Sequence, residues 1–197
     1  MRVIAGSAKG HQLKVPKTEA TRPATDLVRG AIFSILESMT NDWSRVLDLY
    51  SGSGAMGIEA LSRGAGWADF VDRQPRCCDI IRQNLTITRL ADKAHVYCCN
   101  VPKAVSFLKG EYGIIIMDPP YANSVIGGVI TQVANSELVG QNTVVIVTHS
   151  PHLTLEPEYG AIKFVKEHRH GDSIIAIYKK EARPCPSLPY IPEVLIP

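Results

Sequence analysis

From Ile114 to Asn123 the chain reads IIIMDPPYAN, an apolar run that ends on a carboxylate, two prolines and a tyrosine. Asp118 offers acceptor oxygens. Pro119 and Pro120 lack a backbone N–H and hold φ at about −65°, so they form a stiff, extended turn whose carbonyls are free to accept. Tyr121 adds a flat ring. Acceptors held rigidly beside an aromatic face suit a planar group bearing an amine, whose N–H bonds need acceptors.

A second cluster lies in VLDLYSGSGAMGIEALSRGA, residues 46–65. Gly52, Gly54 and Gly57 satisfy G-x-G-x-x-G, and Asp72 follows Gly52 by 20 residues. That spacing is also the dinucleotide fingerprint, in which glycines let the backbone approach a ligand and the acidic residue accepts from ribose hydroxyls. No Gly-Lys-Ser/Thr follows, which excludes a Walker loop. Asp48, four residues before Gly52, disfavours a pyrophosphate. It favours a cationic ligand, such as the ammonium and sulfonium of S-adenosylmethionine.

These residues need strand ends and tight turns to hold them. Gly113–Met117 does not alternate apolar and polar, so it predicts a central parallel strand covered on both faces, with Asp118 at its carboxyl end, where α/β sheets bind ligands. Strands are expected at Val46–Tyr50, Ala68–Asp72, Ala94–Cys99 and Thr143–Thr148. Helices are expected at Ala55–Arg63, Pro75–Leu90, Lys103–Leu108 and Val125–Ala134. An earlier helix follows Thr25 as its N-cap. The alternation predicts a doubly wound, mostly parallel α/β sheet. Two last runs, Ala161–Glu167 and Ser173–Lys179, predict a closing antiparallel hairpin. Arg2–Ala5 and Gln12–Val15 predict a small N-terminal β-hairpin. The expected organisation is an N-terminal extension over residues 1–23, one catalytic domain over 24–181, and a tail over 182–197 that holds five of the chain's 13 prolines.

The 197 residues are 45% hydrophobic, enough for one buried core. No apolar run suggests a membrane span, and MRVIAGSAKG lacks a secretory signal's apolar stretch. The five cysteines fit neither a zinc spacing nor an even disulfide framework, so reduced thiols in the cytoplasm and no metal are expected. The net charge is +2, yet residues 1–30 hold six basic and two acidic residues, leaving −2 for the rest. A basic end on a near-neutral body points to an anionic partner such as nucleic acid. Lys9, Lys14, Arg22 and Arg29 are the candidates for phosphate contact.

The residues carry a family pattern: RVIAG and KG near the start, TRPATDLVRGAIFS, DLYSGSGAMGIEALSRGA, the VD ending at Asp72, DPPY, and the late GDSIIAIY. Over residues 1 to about 181 the chain resembles the class I S-adenosylmethionine-dependent methyltransferases with a DPPY motif. More closely, it resembles the bacterial family that methylates a guanine N2 in small-subunit ribosomal RNA. The glycine loop and DPPY point only to amino-group methyltransferases; the TRP-x-TD-x-VR block narrows the choice. The chain departs from the pattern at Ala24, Leu27 and Gly30, where Thr, a basic residue and Glu are common, and at Gln74, where an acidic residue is usual.

The resemblance implies a Rossmann-like class I sheet with S-adenosylmethionine as cofactor. Asp48 and the loop Ser51, Gly52, Ser53 and Gly54 would hold its methionine part. Asp72 would hold the ribose, and Asn100 would face the adenine or serve only as a turn residue. Tyr50, Gly57 and Arg73 complete the implied cofactor set. Asp118 and the Pro119 carbonyl would accept from the target amine, with Pro120 stiffening the turn and Tyr121 stacking on a flipped base. The implied partner is ribosomal RNA inside an assembling small subunit. An acceptor-only carboxylate matches the adjacent N1–H and N2 amine of guanine. Adenine-N6 methylation of DNA or RNA, glutamine methylation, a nicotinamide-dependent oxidoreductase and a non-catalytic RNA-binding assembly protein remain as alternatives.

Overall fold

The computed structural model describes residues 1–16, 26–120 and 126–180. The expected N-cap Thr25, the TRP segment with Arg22, Tyr121 and the proline-rich tail lie outside the described residues.

The elements follow in the order α1 (Asp26–Met39), β1 (Arg45–Leu49), α2 (Ala55–Ser62), β2 (Trp67–Asp72), α3 (Pro75–Thr88), a 3₁₀ turn (Ala91–Lys93), β3 (Ala94–Cys98), α4 (Val101–Phe107), β4 (Tyr112–Met117), α5 (Ile126–Ala134), β5 (Val139–His149), β6 (Glu158–Tyr159), β7 (Ile162–His170) and β8 (Ser173–Lys180). They form one eight-stranded sheet in the order β3-β2-β1-β4-β5-β8-β7-β6. The pairs among β3, β2, β1, β4 and β5 are parallel, and those of β5 with β8, β8 with β7 and β7 with β6 are antiparallel. The mostly parallel α/β sheet with a closing antiparallel hairpin is therefore as the sequence predicts.

Every residue of β4 is buried, because helices cover both faces. Val46, Ile114, Ile116, Val144 and Ile146 face a core layer shared with α1, α2 and α3. Leu47, Leu49, Ile115, Met117, Val145 and Val147 face the layer shared with α4 and α5. Burying each such side chain stabilises the fold by about 1.5–3 kcal/mol. From β1 the chain winds outward through β2 and β3, then crosses back to β4 on the other side of β1. The order reverses between β1 and β4, and a crevice opens there at the strands' carboxyl ends.

The N-terminal arms meet as a short antiparallel hairpin: Arg2 bridges Gln12, Val3 N donates to the His11 carbonyl at 3.1 Å and Leu13 N to the Met1 carbonyl at 2.9 Å. The amides of Ile4 and Ala5 donate to the Glu59 carboxylate of α2 at 2.7 and 2.9 Å. Val3, Ala8 and Leu13 pack into the main core. The differences from the expected elements are local. Helix α4 starts at Val101, earlier than expected, because Asn100 Oδ1 accepts from Lys103 N at 2.9 Å and caps it. Strand β5 starts at Val139, through polar residues that interrupt its apolar run. Among the described residues no helix is long and apolar enough to cross a membrane.

Candidate active site

Three carboxylates converge on the crevice. Asp48 sits in β1, 1% exposed. Its Oδ2 accepts from Gly57 N at 2.9 Å, satisfying one of the orphan amides at the start of α2. Burial pushes its pKa up to about 7; the Gly57 amide opposes that rise, and the charges of Asp118 and Asp72 add to it. Asp72, at the end of β2, accepts from Gly52 N and Gln74 N, each at 2.8 Å. Each carboxylate oxygen has a second lone pair, so Asp72 ties the glycine loop to β2 and can still accept from a hydroxyl.

The loop between β1 and α2 is held in an unusual backbone. Tyr50 has φ 63° and Gly52 φ 55°; for a non-glycine residue such as Tyr50 the left-handed region is sparsely used and concentrates at ligand sites. Ser51 is buried, accepts from Val71 N at 2.9 Å and donates to the Asp48 carbonyl at 2.6 Å. At Gly52 an added Cβ would meet only the Tyr50 carbonyl, at 4.0 Å, so open space lies before the loop. Gly57 has a different reason to be glycine: its Cβ would lie 2.3 Å from Cε1 of Phe70 in β2. Gly57→Ala is expected to destabilise the fold by about 1–3 kcal/mol, read as a lower urea midpoint.

Ser53 is buried, and its carbonyl accepts from Asn84 Nδ2 at 2.9 Å. Asn84, wholly buried in α3, also donates to the Lys14 carbonyl at 2.9 Å and accepts from Lys14 N at 2.8 Å. One side chain thus fastens the N-terminal segment to the glycine loop. The sequence reading missed it, although a polar residue in the buried stripe Ile81, Asn84, Leu85, Thr88 is a usable signal. Asn84→Ala strands buried polar groups and is expected to cost roughly 1–3 kcal/mol in unfolding free energy, measured by urea titration.

Asp118 follows β4, with its amide donating to the Leu49 carbonyl at 3.4 Å. It lies two residues beyond Ile116, the β4 partner of Asp48, at the β1/β4 switch point, near enough for its charge to act on Asp48. The Thr148 hydroxyl of β5 donates to Asp118 Oδ1. Burial raises the Asp118 pKa, and the Thr148 bond works against that. Thr148 is 1% exposed and was also missed. Its signal is the same as that of Asp118, a polar residue ending an apolar strand, but the pairing depends on register. Pro119 is buried and Pro120 exposed.

The remaining sequence candidates separate. Gly54 has φ 76° at the start of α2. Arg73 is exposed beside Asp72. Asn100 is exposed, and its Oδ1 is engaged as the cap of α4. Lys9 is exposed in the N-terminal turn, and Lys14 Nζ donates to Gln83 Oε1 at 2.7 Å. Arg29 is a correction. It is 0% exposed, donates from Nη2 to the Arg2 carbonyl and to Asp26 Oδ1, and points into the core rather than toward a phosphate. Burial lowers its pKa, opposed by Asp26 and Glu59. It anchors the N-terminal segment to α1.

The fit of this crevice to a cationic nucleoside ligand rests on a buried carboxylate beside an open glycine loop, with Asp72 at the second strand end. The family described as conserved hypothetical protein 95 matches residues 1–179. The Bacillus subtilis protein named "Putative rRNA methyltransferase YlbH" is 34% identical, over 91% of this chain and 99% of its own. The Escherichia coli K12 protein named "Ribosomal RNA small subunit methyltransferase D" is 30% identical, over 93% of this chain and 91% of its own. A solved structure titled "Putative methyltransferase yhhF from Escherichia coli" superposes with a TM-score of 0.77 at 27% identity, covering 93% of this chain and 99% of that one.

Proposed function

The chain belongs to the conserved hypothetical protein 95 family, and on that premise we propose that it transfers a methyl group from S-adenosylmethionine to the exocyclic N2 amine of a guanine in small-subunit ribosomal RNA. The observation that carries this reading is a pair of carboxylates, the buried Asp48 and the half-buried Asp118, whose charges interact at the switch point beside an open glycine loop. One supports a cationic cofactor; the other supports an amine.

When bound, S-adenosylmethionine supplies an electrophilic methyl on a sulfonium. Asp48 and the loop from Tyr50 to Gly54 bind and neutralise its cationic part, and Asp72 with Arg73 takes the ribose side. Asp118 and the Pro119 carbonyl accept the two N–H bonds of the target amine. An aryl amine is a poor nucleophile because its lone pair is delocalised into the ring; two fixed acceptors turn that lone pair out of the ring plane. Orientation of this kind is worth up to about 7–11 kcal/mol in ideal cases. Asp118 then accepts the released proton at a carboxylate oxygen, a task its burial favours. Thr148 fixes the rotamer of that carboxylate. Tyr121 stacks on the extruded base. The substrate is an assembling small subunit in the cytoplasm.

Two measurements test this. A titration should give tighter binding of S-adenosylmethionine than of NADH; the reverse order would favour the oxidoreductase reading. Transfer rates should be higher on partly assembled particles than on naked ribosomal RNA; preference for naked RNA would overturn the particle assignment.

A further inference from the structure

The register of the antiparallel end of the sheet places a basic strip on the face that holds the crevice. Thr148, which bonds Asp118, pairs with Ile175 of β8, and Ile175 pairs with His168 of β7. Directly paired residues share a face of a sheet. Asp118, Thr148, Ile175 and His168 thus form one row across four neighbouring strands. At about 4.8 Å per strand, His168 lies about 14 Å from Asp118. The rows on either side add Lys166, paired with Ile177, and His170, paired with Ser173 at the hairpin tip. The acidic neighbour Glu167 pairs with Ala176 and points to the opposite face, as does Arg169 with Ile174. On this stretch the crevice side of β7 is basic, and the acid is turned away.

Two further observations make the strip available. Strand β6 pairs only with Ile162 and Lys163, so among the described residues β7 from Lys166 onward is an edge strand with open backbone amides. Among the described residues no ion pair engages Lys166, His168 or His170; His168 Nε2 is itself buried, so Lys166, His170 and the edge amides are the groups that can reach a phosphate. Lysine on an edge strand also guards against strand-to-strand aggregation, but that role does not require two histidines on the crevice side.

We propose that the Lys166–His168–His170 face of β7 is a second RNA-contact surface, which holds phosphates of the strand flanking the nucleotide at Asp118. The proposal rests on the RNA reading above. A polyanion fits the strip by charge, and lysine, imidazole and backbone N–H groups are all phosphate donors. A reach of about 14 Å corresponds to roughly four stacked nucleotides at 3.4 Å each. The N-terminal segment, with Lys9 and Lys14, would hold the RNA from the other side of the crevice.

The test is the affinity of full-length protein for unmethylated small ribosomal subunits and for a ribosomal RNA fragment, measured across salt concentrations. Lys166→Glu/His170→Glu is expected to weaken binding at least tenfold and to lower the salt slope by about one, with S-adenosylmethionine affinity and melting temperature unchanged. Glu167→Lys, on the opposite face, is expected to leave RNA affinity within twofold. Equal RNA affinity in the double variant would overturn this proposal alone. An equal and opposite response to Glu167→Lys would overturn it as well, because net charge rather than this face would then govern binding. If the wild-type protein bound neither RNA, the RNA reading itself would fall, and this proposal with it.

Discussion

Asp118→Ala is expected to lower kcat for methyl transfer by roughly 10²–10⁴-fold, the range for losing a positioned acid–base group. Cofactor affinity should stay within the same order of magnitude. On the proposed mechanism the variant would lack an acceptor for the amine and the group that takes up the proton, while the Pro119 carbonyl would remain. Asp118→Asn keeps one acceptor oxygen but no proton uptake, so its rate should fall between wild type and Ala. Thr148→Val should move in the same direction with a smaller effect, because it frees the carboxylate rotamer without removing it. Rapid-quench single-turnover kinetics separates the chemical step from product release. An unchanged single-turnover rate in Asp118→Ala would remove this residue from the chemistry.

Asp48 carries the second large effect, which appears as a pH dependence. Its folded-state pKa is raised from 3.8 to about 7, first by burial. The folded protein therefore holds this proton where the unfolded chain has lost it. The sign follows: the associated stability is present in full below pH 3.8, falls as the pH rises, and is gone above about 7. Asp48→Asn keeps an acceptor for Gly57 N and removes the buried charge, so at pH 8 it should stabilise the cofactor-free protein by on the order of 2–4 kcal/mol. Cofactor binding has the opposite sign. On the proposed binding mode the ionised carboxylate would hold a cation, and an α-ammonium with a pKa of about 7.7–8.0 stays charged below neutrality. Wild-type affinity for S-adenosylmethionine should therefore climb between pH 5 and 7, approaching about tenfold per pH unit, and level off above. In Asp48→Asn the climb should vanish, with affinity about 10–100-fold weaker at pH 8, the magnitude of a hydrogen bond to a charged group. Calorimetric titration across this range reads both. A flat wild-type profile would remove Asp48 from cofactor binding.

Local signals explain what the sequence made legible. The strand into Asp118 shows in a run of apolar residues with no polar alternation. The glycine loop shows because Gly52 needs a left-handed backbone and Gly57 needs the absence of a Cβ against Phe70. What was not legible depends on contacts distant in sequence. Arg29 looked like a surface cation because charge usually implies exposure; its burial follows from the Arg2 carbonyl, 27 residues away. The N-terminal hairpin was legible, but not its anchor: Glu59 captures the amides of Ile4 and Ala5 from a separation of more than fifty residues. Thr148 joins the site only through the register of β5 against β4, and Lys166 and His170 only through two further registers.

The central claim is that one guanine N2 amine of ribosomal RNA is methylated under the control of Asp118. The most direct measurement incubates methyl-labelled S-adenosylmethionine with unmethylated small subunits, with Asp118→Ala in parallel, and digests the RNA to nucleosides. The account predicts label in N2-methylguanosine with wild-type protein and its loss in the variant. Label in N6-methyladenosine, or no transfer to RNA despite cofactor binding, would contradict it.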